Sequence, residues 1–196
     1  GSEDKKARIL AEALTLFSTR GYVATSLADI ARASDISKAG LLHHYSSKDQ
    51  LLAAVLEERD RRTLSRLPGG DARAEAALDA WVEMVAHNQR HPDGVALYTA
   101  MSAAVIDADH QAHPWFREHL LGAISYLVDA LERGKAMGEV RPGAPSEKIA
   151  RKLVALSDGL QVQWLCSRAD GGADVDMREV MAGMVADVKD RWLIRP

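Results

Sequence analysis

One cysteine, two phenylalanines and no long apolar run set the first limits on this 196-residue chain. The single thiol, Cys166, excludes a disulfide within the chain and a cysteine cage for a metal. Set in an apolar helical pattern, it reads as a small core residue rather than a redox sensor. No stretch reaches the about 18 consecutive apolar residues of a membrane span, and no charged-then-apolar leader precedes the first helical pattern. No membrane partner is therefore expected, and the expected location is the cytoplasm. A Gly-rich phosphate loop and a nucleophile–base pair are also missing, so neither catalytic residues nor a cofactor are expected. His87 and His91 are four apart and His110 and His113 three apart, spacings that helical metal ligands use. The first pair lacks the glutamate of the HExxH hydrolases, the second falls in an expected link, and no metal is expected.

What the chain does have is helical period and an uneven charge. Hydrophobic residues make up 47% of the sequence, enough for a sizeable core. Strand-like alternation and internal repeats are absent, so the expected class is all-α. The net charge of −3 hides an asymmetry: residues 1–66 carry 11 Lys and Arg against 9 Asp and Glu, whereas residues 67–196 carry 14 against 19. Phosphate neutralisation needs local positive charge, which Lys5, Lys6, Arg8, Lys38 and Lys48 supply.

Three helix starts are written into Thr25 to Leu52 by short hydroxyls, which satisfy backbone N–H groups that have no partner inside a helix. Ser26 has Asp29 three residues on, Ser37 leads into Lys38 to His44, and Ser47 has Gln50 at the reciprocal capping-box position. Ser34-Asp35-Ile36 between the first two leaves room for a tight turn only, which is helix-turn-helix spacing. The second helix of such a pair lies in the major groove of DNA. With Leu41 and Tyr45 facing the core, Lys38, Ala39, Leu42, His43 and His44 remain for the DNA side, starting from Ser37 at the cap. One corner of any helical bundle satisfies the same caps and spacing. Before this stretch, Ile9, Leu10, Ala13, Leu14 and Phe17 form one face of a helix over residues 3–20 that Gly21 ends, completing a small core with Leu27, Ile30, Ile36 and Leu41.

With GYVATSLADIA before the turn and SKAGLLHHYSSKDQLL after it, residues 21–52 resemble the amino-terminal domain of the TetR family of one-component transcriptional regulators. The resemblance implies a nine-helix fold, with a three-helix helix-turn-helix domain at 3–47 and a helical bundle at 48–196 for effector binding and dimerisation, of which 48–66 is a connector helix. It also implies that Thr25, Ser26, Lys38, Gly40, Leu42, His43, His44 and Lys48 meet a double-stranded operator, mostly on phosphates. Gly40 stands where the family often has Thr, and Leu42 and His44 where it often has Tyr. Leu42 is then free to touch a thymine methyl.

Beyond the break at Leu67-Pro68-Gly69-Gly70, helices are expected at about 71–90, 94–107, 113–137, 146–168 and 175–192, the last two separated at Asp170-Gly171-Gly172. The stretch IARKLVALSDGLQVQWL is similar to the carboxy-terminal class that includes the choline-responsive BetI-like regulators. Aromatics and methionines of these helices are candidate walls of an effector pocket: Trp81, Met84, Tyr98 and Met101, then Trp115, Phe116, Tyr126 and Trp164. Asn88, His119, Asp158 and Gln161 are polar groups able to orient a small molecule of unknown identity, and an aromatic wall near Asp158 suits a cationic or apolar one. The same stripe also reads as plain core. The last two helices are apolar around much of their circumference, with Val180, Met184, Ala182 and Gly183 among their residues, and a two-fold homodimer through them is expected. The sequence thus points to a ligand-released homodimeric regulator, a repressor by family tendency. An effector-independent regulator, or a helical small-molecule binder with weakened DNA binding, fits the same residues.

Overall fold

A computed structural model describes residues 2–169, 171 and 175–194. Among these the regular elements are helices, apart from an isolated bridge between Val140 and Leu193: α1 Ser2–Arg20, α2 Leu27–Ala33, α3 Lys38–His44, α4 Lys48–Leu64, α5 Ala74–Gln89, α6 Pro92–Ser102, a 3-10 turn Ala104–Ile106, α7 His113–Ala136, α8 Ser146–Ala169 and α9 Met177–Trp192. Nine α-helices among the described residues agree with the expected all-α class. The expected link at Asp170-Gly171-Gly172 lies outside the described residues except for Gly171, which has φ +64. The helix expected over 94–107 is two pieces. Pro92 occupies its first turn, where a missing N–H costs nothing, and the chain tightens into the 3-10 turn after Ser102.

The chain folds as two compact units that are not consecutive stretches. The first joins residues 1–62 to 91–117, and the second joins 63–90 to 118–196. A cut at residue 48 therefore does not coincide with the division between them. Leu51, Leu52, Val55 and Leu56 of α4 are buried in the same core as Ile9, Ala13 and Phe17 of α1, Ile30 of α2 and Leu41 of α3. Leu97 and Met101 of α6, Val105 and Ala112 complete that core, a contribution not anticipated from sequence. Leu10, Leu14, Leu27 and Ile36 pack against it half-buried. Burying these aliphatics at roughly 25 cal/mol per Å² of apolar surface is what makes a unit of this size stable without a disulfide.

In the second unit α9 packs on α5 and α8. The ion pairs give the direction: Arg178 meets Glu83, while Lys189 meets Glu75 and Asp79, so α5 and α9 run antiparallel. Met177, Met181 and Val185 are the buried face of α9, and Ile149, Leu153, Leu160 and Trp164 that of α8. Trp81 Nε1 donates to Ser157 Oγ at 3.2 Å, tying α5 to α8 through a buried polar contact. One expectation is corrected here. Cys166 is exposed on α8 and is not a core residue, because it falls on the side opposite Trp164 and Leu160 in the burial pattern.

Candidate nucleic-acid interface

The geometry of the turn between α2 and α3 follows from three backbone hydrogen bonds. Ser34 N–H reaches Ile30 O at 2.9 Å, Asp35 N–H reaches Arg32 O at 3.2 Å and Ile36 N–H reaches Ala31 O at 3.0 Å. The last two make a Schellman stop, which needs a left-handed residue, and Asp35 supplies it at φ 56. The helices on either side begin as the sequence indicates. Ser26 Oγ accepts from Asp29 N–H at 3.2 Å while Asp29 Oδ2 accepts from Ser26 N–H at 3.1 Å, a closed capping box. The hydrogen bonds from Ser26 hold the Asp29 carboxyl below its usual range. Ser37 Oγ accepts from Gly40 N–H at 3.0 Å. At α4 the box is displaced: Ser47 Oγ accepts from Gln50 N–H at 3.0 Å, but the Gln50 side chain reaches one residue further back, to Ser46 N–H.

This arrangement turns one face of α3 outward. Leu41 and Tyr45 are buried, and Ser37, Lys38, Ala39, Leu42 and His43 are exposed, with His44 half-buried. The His43 and His44 rings stand edge to face, 5.8 Å apart. Leu42 keeps 40% of its surface exposed, a large apolar side chain on a solvent face that it shares with Ala39 and polar residues. Ser26 is exposed as well.

Two of the residues expected to meet DNA turn their polar groups toward the protein itself. Thr25 is 1% exposed, and its hydroxyl donates inward to the carbonyls of Gly21, at 2.8 Å, and Leu16. Lys48 does not reach outward either. Its Nζ donates to Tyr22 O at 2.8 Å and Thr25 O at 3.0 Å and lies 4.4 Å from the centre of the Tyr22 ring. The Tyr22 hydroxyl donates in turn to Asp49 Oδ1. Burial first and this carboxylate second push the Tyr22 phenol well above its ordinary range. Tyr22 and Asp49 were not legible as functional residues, since nothing in their spacing shows that a turn will gather carbonyls beneath a lysine.

The twelve expected effector residues are not all in one unit. Tyr98, Met101, Trp115 and Phe116 belong to the first, where they fill space rather than line it. Tyr98 stacks on Phe116 at 5.2 Å with Arg59 over its ring, and Met101 is part of the buried core. The other eight belong to the second unit: Trp81, Met84 and Asn88 on α5, His119 and Tyr126 on α7, and Asp158, Gln161 and Trp164 on α8. Asn88 and Gln161 are buried polar side chains, and the Trp164 ring carries the Arg168 guanidinium 4.9 Å from its centre. His110 Nδ1 accepts from Ala112 N–H, and His113 Nδ1 lies 2.7 Å from Val105 O, so both rings serve the local turn. Among the described residues no group of three or more His, Cys, Asp or Glu is placed to hold a metal.

Comparison with known proteins bears on the same stretch. Residues 9–55, which include the helix-turn-helix, match the family model for bacterial regulatory proteins of the tetR family. An HTH-type transcriptional repressor of Mycobacterium tuberculosis is 42% identical over 82 residues, 40% of this chain and 43% of the relative. The matched stretch thus spans less than half the length of that relative. Over nearly the whole chain the fold is similar to a TetR transcription regulator from Haloarcula marismortui, with a TM-score of 0.82 at 20% identity over 98% of this chain and 100% of that one. A Saccharomonospora viridis chain crystallised in complex with choline gives 0.75 at 21% identity, covering 100% of both. The tetR-family match thus lies on the same capped, solvent-facing helix pair that the geometry builds, and residues 9–55 carry the amino-terminal domain of the tetR family of bacterial regulatory proteins.

Proposed function

We propose that the protein is a homodimeric one-component transcriptional regulator, a repressor, which binds a palindromic DNA operator through α3 and is released by a small-molecule effector. The observation that carries this reading is the α2-turn-α3 pair. Leu41 and Tyr45 anchor α3 to the core, and Ser37, Lys38, Ala39, Leu42 and His43 are left on one exposed face, the disposition that major-groove readout requires. In this reading Lys38 neutralises phosphate, while Leu42, His43 and His44 meet bases or their flanking sugars. The repressor sense is borrowed from the Mycobacterium tuberculosis relative.

For the effector, the eight second-unit residues Trp81, Met84, Asn88, His119, Tyr126, Asp158, Gln161 and Trp164 are the proposed site. Ring faces that already attract Arg168, together with the carboxylate of Asp158, favour an organic cation. Coupling to DNA is proposed to run along the chain itself. Two of the three crossings between the units fall inside continuous helices, at 62–63 in α4 and 117–118 in α7, and one falls at the α5–α6 joint. An effector that favours one arrangement of the second unit then shifts the separation of the two α3 helices. Reciprocity requires DNA to weaken effector binding by the same factor.

The test is a salt series of binding to genomic fragments, with particle mass measured in the same preparations. Salt-dependent retention of one fragment by a dimer is the expected result, and Lys38→Ala should weaken it and flatten the salt slope, by about 0.9 for each phosphate no longer neutralised. Absence of retention above non-specific levels at low salt overturns the reading. The variant of a small-molecule binder without DNA function would then take its place.

A further inference from the structure

The turn joining α1 to α2 gathers backbone carbonyls on one side. Those of Tyr22, Val23 and Thr25 lie 2.8, 3.5 and 3.0 Å from Lys48 Nζ, although Lys48 is more than twenty residues away at the start of α4. An ammonium has three N–H donors and no acceptor, so this set uses its full capacity. The Tyr22 ring underneath adds a cation–π contact, and the Tyr22 hydroxyl is held by Asp49, the residue after Lys48. Within the turn itself the backbone–backbone bond is long, Thr25 N–H meeting Tyr22 O at 3.4 Å, and the Thr25 hydroxyl adds a bond to Gly21 O at 2.8 Å. The segment that sets the start of α2 is thus held from two sides, by the buried Thr25 hydroxyl against the end of α1 and by two consecutive side chains of α4. Ser26, the cap of α2, follows immediately. Through the Schellman stop at Asp35, α2 in turn sets the entry of α3.

From this geometry we infer that Lys48 is a positioning residue for DNA binding, a clamp that holds the α1–α2 turn and so the helix pair in register, and not a contact to phosphate. The inference rests on the DNA-binding reading given above. It differs from the expected family role of the lysine in what its removal does. Removing a phosphate-neutralising charge lowers affinity and flattens its salt dependence together. Removing a clamp lowers affinity at every salt concentration and leaves the slope alone, because the number of counterions released is unchanged.

The experiment compares Lys48→Ala, Tyr22→Phe and Lys38→Ala with the unaltered protein on one retained DNA fragment. It reads the dissociation constant across a salt series and the exchange rates of the Thr25 and Asp29 amides without DNA. For Lys48→Ala the expected result is roughly tenfold weaker binding, an unchanged salt slope and faster exchange at both amides. Tyr22→Phe keeps every charge but releases Asp49, and should move affinity and exchange in the same direction by a smaller factor. Lys38→Ala should flatten the slope without altering exchange. A flattened slope for Lys48→Ala with exchange unchanged would overturn the clamp while leaving the DNA reading intact. An unaltered protein that retains no fragment would remove the DNA reading, and the positioning role with it.

Discussion

Asp35 is the one non-glycine among the described residues with a left-handed backbone, and it sits where the two halves of the helix-turn-helix join. Its φ of 56 is imposed by the Schellman bonds of Asp35 and Ile36 to Arg32 and Ala31, so the conformation is required by the turn and not by the side chain. Aspartate tolerates this region better than most residues, and a β-branched side chain tolerates it badly. Asp35→Val should therefore cost about 1–2 kcal/mol of stability, whereas Asp35→Gly should come within about 1 kcal/mol of the starting protein, because relief of the Cβ is offset by the freer unfolded chain. Urea denaturation of the two variants measures the difference. Equal stabilities would mean that the turn does not hold the left-handed form. The caps at Ser26 and Ser37 were legible because a hydroxyl three residues before a free N–H has one dominant use. The inward turn of Thr25 and Lys48 was not, since the direction of those side chains is decided by where distant carbonyls converge.

Helix periods were legible for the same kind of reason: a buried stripe repeats every three to four residues whatever it is buried against. The partner of each stripe was not. Leu97 and Met101 fit the wall of an effector pocket and the core of the reading unit equally well in one dimension, and α6 proves to belong to the latter. Tyr98 and Phe116 show the same ambiguity, read as pocket aromatics and found stacked on each other. Gly134 of α7 illustrates what a close approach demands. A Cβ added there would lie 2.5 Å from Val140 Cγ2 and 2.9 Å from Ala74 Cβ, and the helix turns back just beyond it at Gly138 with φ +73. Alanine at an ordinary helical site gains about 1 kcal/mol over glycine, but here overpacking should reverse the sign. Gly134→Ala is expected to destabilise by about 1–3 kcal/mol in thermal or urea unfolding. Adding Val140→Ala, which removes the offending methyl, should make the double variant more stable than the sum of the two single changes predicts. Strict additivity would assign the strain to the rigid Ala74 Cβ and not to Val140.

A palindromic operator requires two reading helices about 34 Å apart, and a single chain has one. The second unit supplies an account of where a second copy would join. The face of α9 that meets α5 and α8 buries Met177, Met181 and Val185, but Val180 and Met184 of the same helix remain 45% and 36% exposed, and Val162 of α8 is 49% exposed. Beside them Gly159 and Gly183 have nothing within 4 Å of where a Cβ would stand, so another helix has room to come close. An apolar strip that one chain leaves open on its last two helices is the proposed dimer contact. A long cation in the middle of it tests the idea without disturbing the internal packing, since the Met184 side chain is partly in solvent and the α5–α9 ion pairs lie elsewhere. Met184→Arg should halve the particle mass in sedimentation while leaving helicity unchanged. If the two reading heads act together on one operator, separation of the dimer should weaken retention by about a hundredfold or more, because each half-site is then held alone. A variant that is monomeric yet binds the fragment with undiminished affinity would show that one head suffices, and the two-fold reading of the operator would fall. A variant that stays dimeric would instead move the contact away from this strip and leave its exposure in need of another partner.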